Sequence, residues 1–370
     1  MNFDYNEEQQ LLADSVRRYL AKDYGFEARR RIVGSAEGWS EEVWRQLAAL
    51  GLTALPIPAE YGGFGGGAVD LMGPMEAMGE ALVVEPLAAT LVAARLVERA
   101  GSEAQKRAIL PAVAEGRLRL AFAHAERGAR YGLARVSTRA FRTAAGWTLT
   151  GAKAVVVGAP AAAKLVVSAK GAEGLELFVV ETAAARLVPQ LTLDERRAAD
   201  VYFEETAAEP LAGGSDATAA IEEATDFATA LLCSEAVGAM KYACEATLEY
   251  LKTRKQFGVP IGSFQALQHR MVDMFVSCEQ ARSMACLAAS KVDRAQDARE
   301  RARAVSAAKI RIADAARHVS QEAVQLHGGM GMTEELKVSH TFRRLTVIAR
   351  EHGDADHHLA RFAALDEVRR

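Results

Sequence analysis

Side chains able to do chemistry gather in three places along the 370-residue chain. The first is Arg254-Lys255-Gln256-Phe257-Gly258. Arg254 offers a planar fork of donors that suits phosphate or carboxylate groups. Cations are also favourable at a helix end in their own right, so decoration is the plainer reading of Arg254 and Lys255. Against that reading stands Phe257-Gly258, an aromatic in a turn that helix capping does not require. The second place is Gln325-Leu326-His327-Gly328-Gly329-Met330-Gly331-Met332, where paired glycines permit close backbone approach. The third is the C-terminal segment holding Glu351, His352, Asp354, Asp356, His357 and His358. Imidazole titrates near neutrality, which gives His352 the chemistry of a proton acceptor, although a polar surface or interface histidine is commoner. The 352/357/358 spacing does not stack three ligands on one helical face, and no cysteine accompanies it. No metal site is assigned.

These residues must be held by the elements around them. Residues 1–117 read as an N-terminal helical domain. Asn6 with Glu7 and Glu8 makes a helix start, and Leu11, Leu12, Val16 and Leu20 recur at helical spacing. A short helix near Ser40–Leu50 has Ser40 as its cap and stops at Gly51. Pro56 to Gly67 is too rich in Pro and Gly for regular structure, and helices resume to about Glu115. Residues 118–212 form the β region, with strands near Leu120–Ala123, Trp147–Thr150, Ala154–Val157, Leu165–Ser168 and Leu175–Val180. Such short strands without helices between them predict an antiparallel sheet or small barrel. Beyond Gly213-Gly214-Ser215, residues 213–370 predict a four-helix bundle. Two seams support it: Phe264, Leu267, Met271, Met274, Cys278, Ala281, Ala285 and Ala288, then Val305, Ala308, Ile312, Ala316, Val319, Ala323 and Leu326. The fold class is α+β, mainly α.

Composition removes several functions. Lys and Arg total 45 against 48 Asp and Glu, a net charge of -3, which leaves no bulk electrostatic hold on nucleic acid. The four cysteines, Cys233, Cys244, Cys278 and Cys286, make no CxxC pair and read as small buried hydrophobes. The N-terminal segment carries acids where a signal peptide needs positive charge, and no run reaches the ~18 apolar residues of a membrane span. A cytoplasmic protein without a membrane partner is expected.

Three segments in order resemble the acyl-CoA dehydrogenase family, and the likeness runs nearly end to end. Residues 55–63, Leu-Pro-Ile-Pro-Ala-Glu-Tyr-Gly-Gly, are similar to its G-L-x-x-x-P-x-x-Y-G-G loop. Arg254 to Gly258, continuing through Phe264-Gln265-Ala266-Leu267-Gln268, resembles R-x-x-F-G…F-Q-x-x-Q. Gln325 to Met332 resembles Q-x-x-G-G-x-G. A narrower likeness, to small subunits of two-component bacterial enzymes such as pimeloyl-CoA dehydrogenase, rests on Glu126–Tyr131, Arg254–His269 and Gly353–Leu359. The resemblance implies the acyl-CoA dehydrogenase fold, FAD shared across a subunit interface, and oxidation of an acyl-CoA to the trans-2-enoyl-CoA. It also implies electron transfer to an electron-transfer flavoprotein. Carried over residue by residue, it assigns Arg254, Gln256 and Phe257 to the pyrophosphate of a neighbouring subunit's FAD, Gln325 to its adenosine end, and Gly328 and Gly329 to close approach.

The other half of the pattern is missing. The family's T-E-P-G-A-G-S-D loop corresponds to Ala125-Glu126-Arg127-Gly128-Ala129-Arg130-Tyr131-Gly132, which loses two hydroxyls expected at the flavin. Its W-x-T strand reads Val155-Val156-Val157. The usual catalytic glutamate falls on His352 and the alternative position on Ala228, with Thr229 beside it. On a helical tail, one step of about 100° keeps Glu351 from replacing it directly. The expectation is therefore a small subunit that completes the FAD site of a partner with an intact catalytic Glu. Two other readings stand beside it: a self-sufficient homo-oligomeric dehydrogenase using Glu351, Asp354 or His352, and a non-catalytic scaffold.

Overall fold

The computed structural model describes residues 5–172, 174–213 and 217–367. Gly214 and Ser215 of the expected linker lie outside the described residues. The chain opens with α1 (Glu7–Asp23), α2 (Phe26–Val33), α3 (Glu41–Ala49), α4 (Ala68–Ala81), α5 (Leu87–Ala100) and α6 (Glu103–Ala114). Strands β1 (Leu120–Ala123), β2 (Arg139–Thr143), β3 (Gly146–Val157), β4 (Lys164–Lys170), β5 (Leu175–Glu181), β6 (Arg186–Leu191) and β7 (Arg197–Pro210) follow. Then come α7 (Ala217–Thr253), a hairpin of β8 (Lys255–Gln256) and β9 (Val259–Pro260), α8 (Gln265–Arg294), α9 (Ala298–His327), α10 (Lys337–Ile348) and α11 (Ala355–Glu367). The α, β, α order is the expected one.

Local signals account for the helix ends. Asn6 Oδ1 accepts from Gln9 N at 2.8 Å while Gln9 Oε1 accepts from Asn6 N at 2.9 Å, a reciprocal cap that starts α1. Ser40 Oγ accepts from Val43 N to start α3, and Gly51 follows that helix with φ 82°.

Contacts divide the chain into two compact units, residues 30–67 with 84–228, and residues 1–29 with 68–83 and 229–370. The first unit holds the sheet, ordered β1-β4-β2-β3-β7-β5, with β5 returning to β4 and β6 pairing on β7. That return closes the strands into a ring around Leu149, Val156, Leu165, Val167, Phe178, Val180, Val201 and Phe203. Most pairings are antiparallel, but β1 runs parallel to β4, as β2 does at Arg139–Lys170. Trp147–Thr150 and Ala154–Val157, expected as two strands, are one: β3 is bent by two register shifts against β7. β2 and β7 escaped the sequence reading because they are rich in Arg, or in Ala and Glu, rather than β-branched residues, and β6 because Pro189 interrupts it.

In the second unit α9 is the central helix, with α8, α10 and α11 packed on it. The α9 seam is buried along its whole length, whereas the α8 seam is buried from Met274 onward and Phe264 is exposed. α4 and α7 meet backbone to backbone. Gly79 faces the Glu235 carbonyl and Gly238 the Glu76 carbonyl, where an added Cβ would lie 1.9 and 1.8 Å from oxygen. Cys233, Cys244 and Cys278 are buried and Cys286 is half-buried, all as free thiols. No helix among the described residues is long and apolar enough to cross a membrane.

Candidate functional site

The ends of α7 and α9 bring the first two clusters together. Tyr250, one turn before Arg254, stacks on His327 with ring centroids 4.4 Å apart. His327 Nδ1 is fixed by the Ala323 carbonyl at 2.8 Å, and burial lowers the pKa of its imidazole. From this anchor Arg254 leads into the β8–β9 hairpin, closed by Ile261 N donating to Arg254 O at 2.8 Å.

Phe257 and Gly258 form the two-residue tip, with φ 54° and 81°. A two-residue tip with both φ values positive is the turn that matches strand twist, and Gly258 adopts it freely. An aromatic at positive φ is an outlier and costs energy. Phe257 is nevertheless 91% exposed, touching Phe264 edge-on at 6.1 Å. The Arg254 guanidinium is exposed and has no partner among the described residues. α8 begins beside it at Phe264, which supplies no side-chain cap for the first-turn N–H groups. Gln325, Gly328 and Gly329 are exposed, and a Cβ at either glycine would meet nothing within 4 Å. All six residues expected to grip a dinucleotide tail thus lie on the open surface of one unit.

The C-terminal cluster is organised differently from expectation. α10 stops at Ile348, so residues 349–354 form a turn and the helical-rotation argument against Glu351 does not apply. Glu351 is set aside for another reason. Arg344 grips the Glu235 carboxylate with two bonds of 2.7 Å and reaches Glu351 Oε2 at 3.0 Å, inside a largely buried triad. Asp354 Oδ1 accepts from His357 N at 2.9 Å at the start of α11. Lys309 Nζ, fully buried, donates to the Ile348 and Gly353 carbonyls at 2.9 and 2.7 Å, and burial brings its ammonium down to about 8. His358 lies against the His352 carbonyl at 3.0 Å and Ser306 Oγ at 3.4 Å, so both its nitrogens are occupied.

What this turn presents is the side chain of His352, at φ 57°, exposed and without a partner among the described residues. Desolvation by the residues packed around it lowers the imidazole pKa from its ordinary value, which favours the neutral form. Ala228 is a buried methyl on α7 with no acid–base capacity.

In the sheet-bearing unit, Ala125 is exposed and offers no hydroxyl, while Glu126 is buried. Arg127 pairs with Asp200 at 2.6 Å. Asp200 also accepts from Val155 N at 2.9 Å and pins a bulge that puts Val155 at φ 50°, 48% exposed. A β-branched residue in that conformation is strained. Val156 points into the ring core instead, and Val157 is half-buried.

Sequence comparison now decides the family. The descriptions "Acyl-CoA dehydrogenase, N-terminal domain" and "Acyl-CoA dehydrogenase, C-terminal domain" match residues 6–117 and 218–364. The chain is 32% identical over 344 residues to the acyl-CoA dehydrogenase IpdE2 of Mycobacterium tuberculosis, covering 91% of each. The chain belongs to the acyl-CoA dehydrogenase family.

Solved structures are similar over nearly the whole chain. The Tcur3481-Tcur3483 steroid ACAD variant superposes with TM-score 0.89 at 30% identity over 98% of both chains. PigA, solved with FAD, gives TM-score 0.90 at 26% identity over the whole of both chains. Butyryl-CoA dehydrogenase from Megasphaera elsdenii gives 0.89 at 24% identity over the whole of both chains, a likeness of fold. This member of the family holds several residues that its sequence alone did not single out: Tyr250, Arg344, Glu235 and Lys309. Glu235 did leave a signal, because a lone charge inside the Ala- and Leu-rich run of α7 demands a buried partner.

Proposed function

We propose that this chain is one subunit of a heteromeric, FAD-dependent acyl-CoA dehydrogenase, completing the cofactor site of a second subunit that carries the catalytic glutamate. The observation carrying this reading is the β8–β9 tip. A strained, almost fully exposed aromatic beside an unpartnered guanidinium is costly for a lone chain and useful to one that clasps a dinucleotide. Arg254 with the uncapped start of α8 fits a pyrophosphate, and the open faces of Gly328 and Gly329 admit a neighbour's cofactor. FAD, when bound, supplies the hydride acceptor for α,β-oxidation.

The residues at the corresponding ring site do not fit a flavin in the same way: Ala125 and Val157 bring no hydroxyl, and Val155 no stacking ring. Val272, Phe275 and Val276 share one exposed face of α8, in keeping with assembly. The two-component names of Tcur3481-Tcur3483 and of the ChsE4-ChsE5 complex, another structural relative, point the same way. The acyl group is a dicarboxylate such as pimeloyl-CoA or a bulky steroid thioester, and the named steroid relative supports the second. Electron-transfer flavoprotein is the proposed acceptor and the cytoplasm the proposed location.

Expressed alone, the chain should purify without flavin colour, and co-expression with its partner should restore a yellow, active complex. Arg254→Ala in that complex should loosen FAD about 10- to 100-fold, as expected for a lost charge-assisted contact. Stoichiometric FAD and turnover in the lone chain would overturn the proposal. The exposed, neutral His352 favours one second reading, a self-sufficient enzyme with a histidine base. His352→Ala abolishes turnover under that reading alone.

A further inference from the structure

A polar relay under the β1–β4 face is absorbed by neither reading. Lys153 is fully buried, and its ammonium donates to Glu126 Oε1 at 2.8 Å, Ser168 Oγ at 3.1 Å and the His124 carbonyl at 3.2 Å. Glu126 also accepts from Ser137 N at 2.6 Å, Thr138 N at 3.0 Å and Thr138 Oγ1 at 2.8 Å. Ser168, wholly buried, lies 2.8 Å from His124 Nδ1.

The direction of each bond follows from chemistry alone. An ammonium has no lone pair, so Ser168 Oγ accepts from Lys153; its buried proton then needs an acceptor, and among the described residues His124 Nδ1 is the one within reach. Nδ1 is then the acceptor and Nε2 carries the hydrogen. Burial holds the His124 pKa down at about 4, so the ring is neutral. Nε2 has no partner among the described residues, yet it is not a sealed, unsatisfied atom, so it reaches accessible space. Phe122 stacks on the ring at 5.2 Å and 18°, giving it a flat apolar neighbour.

We propose that His124 is a preset hydrogen-bond donor for an uncharged carbonyl group of a ligand, with Ser168 and Lys153 as positioning residues. Charge selects the ligand class. Lys153 is balanced by Glu126 and Arg127 by Asp200, so the surroundings offer no net positive field to a phosphate or carboxylate. A neutral N–H beside an aromatic face suits a planar carbonyl. Within the proposed function, which this identification of the ligand rests on, the carbonyl belongs to an acyl thioester; a flavin-type imide ring is the other source of the same chemistry, and its capture here would count against the two-subunit reading.

The test uses the full chain in whatever assembly it is purified in, comparing variants within that assembly so that binding at other subunits cancels. The probes are hexanoyl-CoA, its thioether analogue lacking the carbonyl, and riboflavin. If the thioester is the source, the wild type prefers hexanoyl-CoA over the thioether by about five- to tenfold, and His124→Phe removes that preference. If the imide is the source, His124→Phe weakens riboflavin by a similar factor and leaves the thioester-to-thioether ratio unchanged. His124→Gln, which keeps a donor, restores either effect in part. NMR of ¹⁵N-histidine-labelled protein should show His124 protonated at Nε2 and bare at Nδ1. Ser168→Ala should disturb that pattern and Ser168→Thr preserve it. A protonated Nδ1 in the wild type, or affinities for all three probes unmoved by His124→Phe in a folded protein, would overturn the inference. FAD retained by the lone chain would defeat the two-subunit reading while leaving these histidine measurements decisive.

Discussion

Replacing Lys153 by Met keeps the length of the buried stem and removes only its charge and three hydrogen bonds. Glu126, with 6% of its side chain exposed, then keeps neutral donors from Ser137 and Thr138 but loses the cation 2.8 Å away. A buried ion stripped of its partner costs about 3–5 kcal/mol, far more than the intact pair contributes over an apolar replacement. The double variant Lys153→Met/Glu126→Gln strands no charge, so it should return to within about 2 kcal/mol of wild type. The double variant is thus about 1–3 kcal/mol less damaged than Lys153→Met alone, and the coupling exceeds that difference by whatever Glu126→Gln costs on its own.

Trp39, Trp44 and Trp147 all belong to residues 30–67 and 84–228, so urea unfolding followed by tryptophan fluorescence reports this unit alone. With a urea slope of about 2 kcal/mol per molar, Lys153→Met should lower the midpoint by roughly 1.5–2.5 M. Acid should erode the wild type in a defined sense. Burial alone would raise the Glu126 carboxyl, but hydrogen bonds from Lys153 and Thr138 outweigh it and hold the group well below its ordinary range. The corresponding stability is present above that range and lost as pH falls through it. A midpoint shift under about 0.5 M, or a double variant as damaged as the sum of the singles, would refute the claim that these two charges depend on each other.

Other consequences are open to measurement. Arg344→Met strands the buried Glu235 carboxylate and should cost about 3–5 kcal/mol; because the tryptophans lie in the other unit, helical circular dichroism should register it while fluorescence stays largely silent. Gly353 has φ 119°, and a Cβ there would sit 2.6 Å from the His357 and His358 rings. Gly353→Ala should therefore cost about 1–3 kcal/mol and speed amide exchange across residues 350–358. Burial brings the folded pKa of His358 to about 3, against an ordinary value near 6.5. The unfolded chain binds that proton more readily, so stability is intact above the ordinary value and falls with pH below it. His358→Asn should flatten the acid side of the unfolding profile, and an unchanged slope would contradict a buried neutral histidine.

The features legible in the sequence are those that local chemistry fixes. Asn6 with Gln9, Ser40 and Gly51 mark helix ends because their groups act within a few residues. The α9 seam from Val305 to Leu326 was readable because burial on one face of a helix forces a 3–4 spacing. β7 was not readable: Arg197–Pro210 is held by three neighbouring strands, β3, β5 and β6, and long-range pairing leaves little trace in Ala- and Glu-rich composition. The same limit hid the end of α10. The turn at 349–354 is secured by Lys309, Arg344 and His358, two of them on other helices, so nothing local to Glu351 or His352 announced it.

The candidate site shows the converse. Sequence picked out Arg254, Phe257, Gln325 and the paired glycines by type and order, yet could not say whether they were spent inside the fold. Their exposure favours the clasping use over the purely structural one. An arginine that only ends a helix is satisfied by the last carbonyls, and a turn that only reverses the chain has no use for an aromatic at φ 54°, where Gly or Asn would relieve the strain. Phe257→Gly should accordingly stabilise the isolated chain slightly, by under about 1 kcal/mol, because it removes strain while exposing no core. In the assembled enzyme the same change should weaken FAD retention, read as faster flavin release on dilution. A substitution neutral in both settings would mean that the exposed ring contacts nothing, and the clasping role of the hairpin would fall with it.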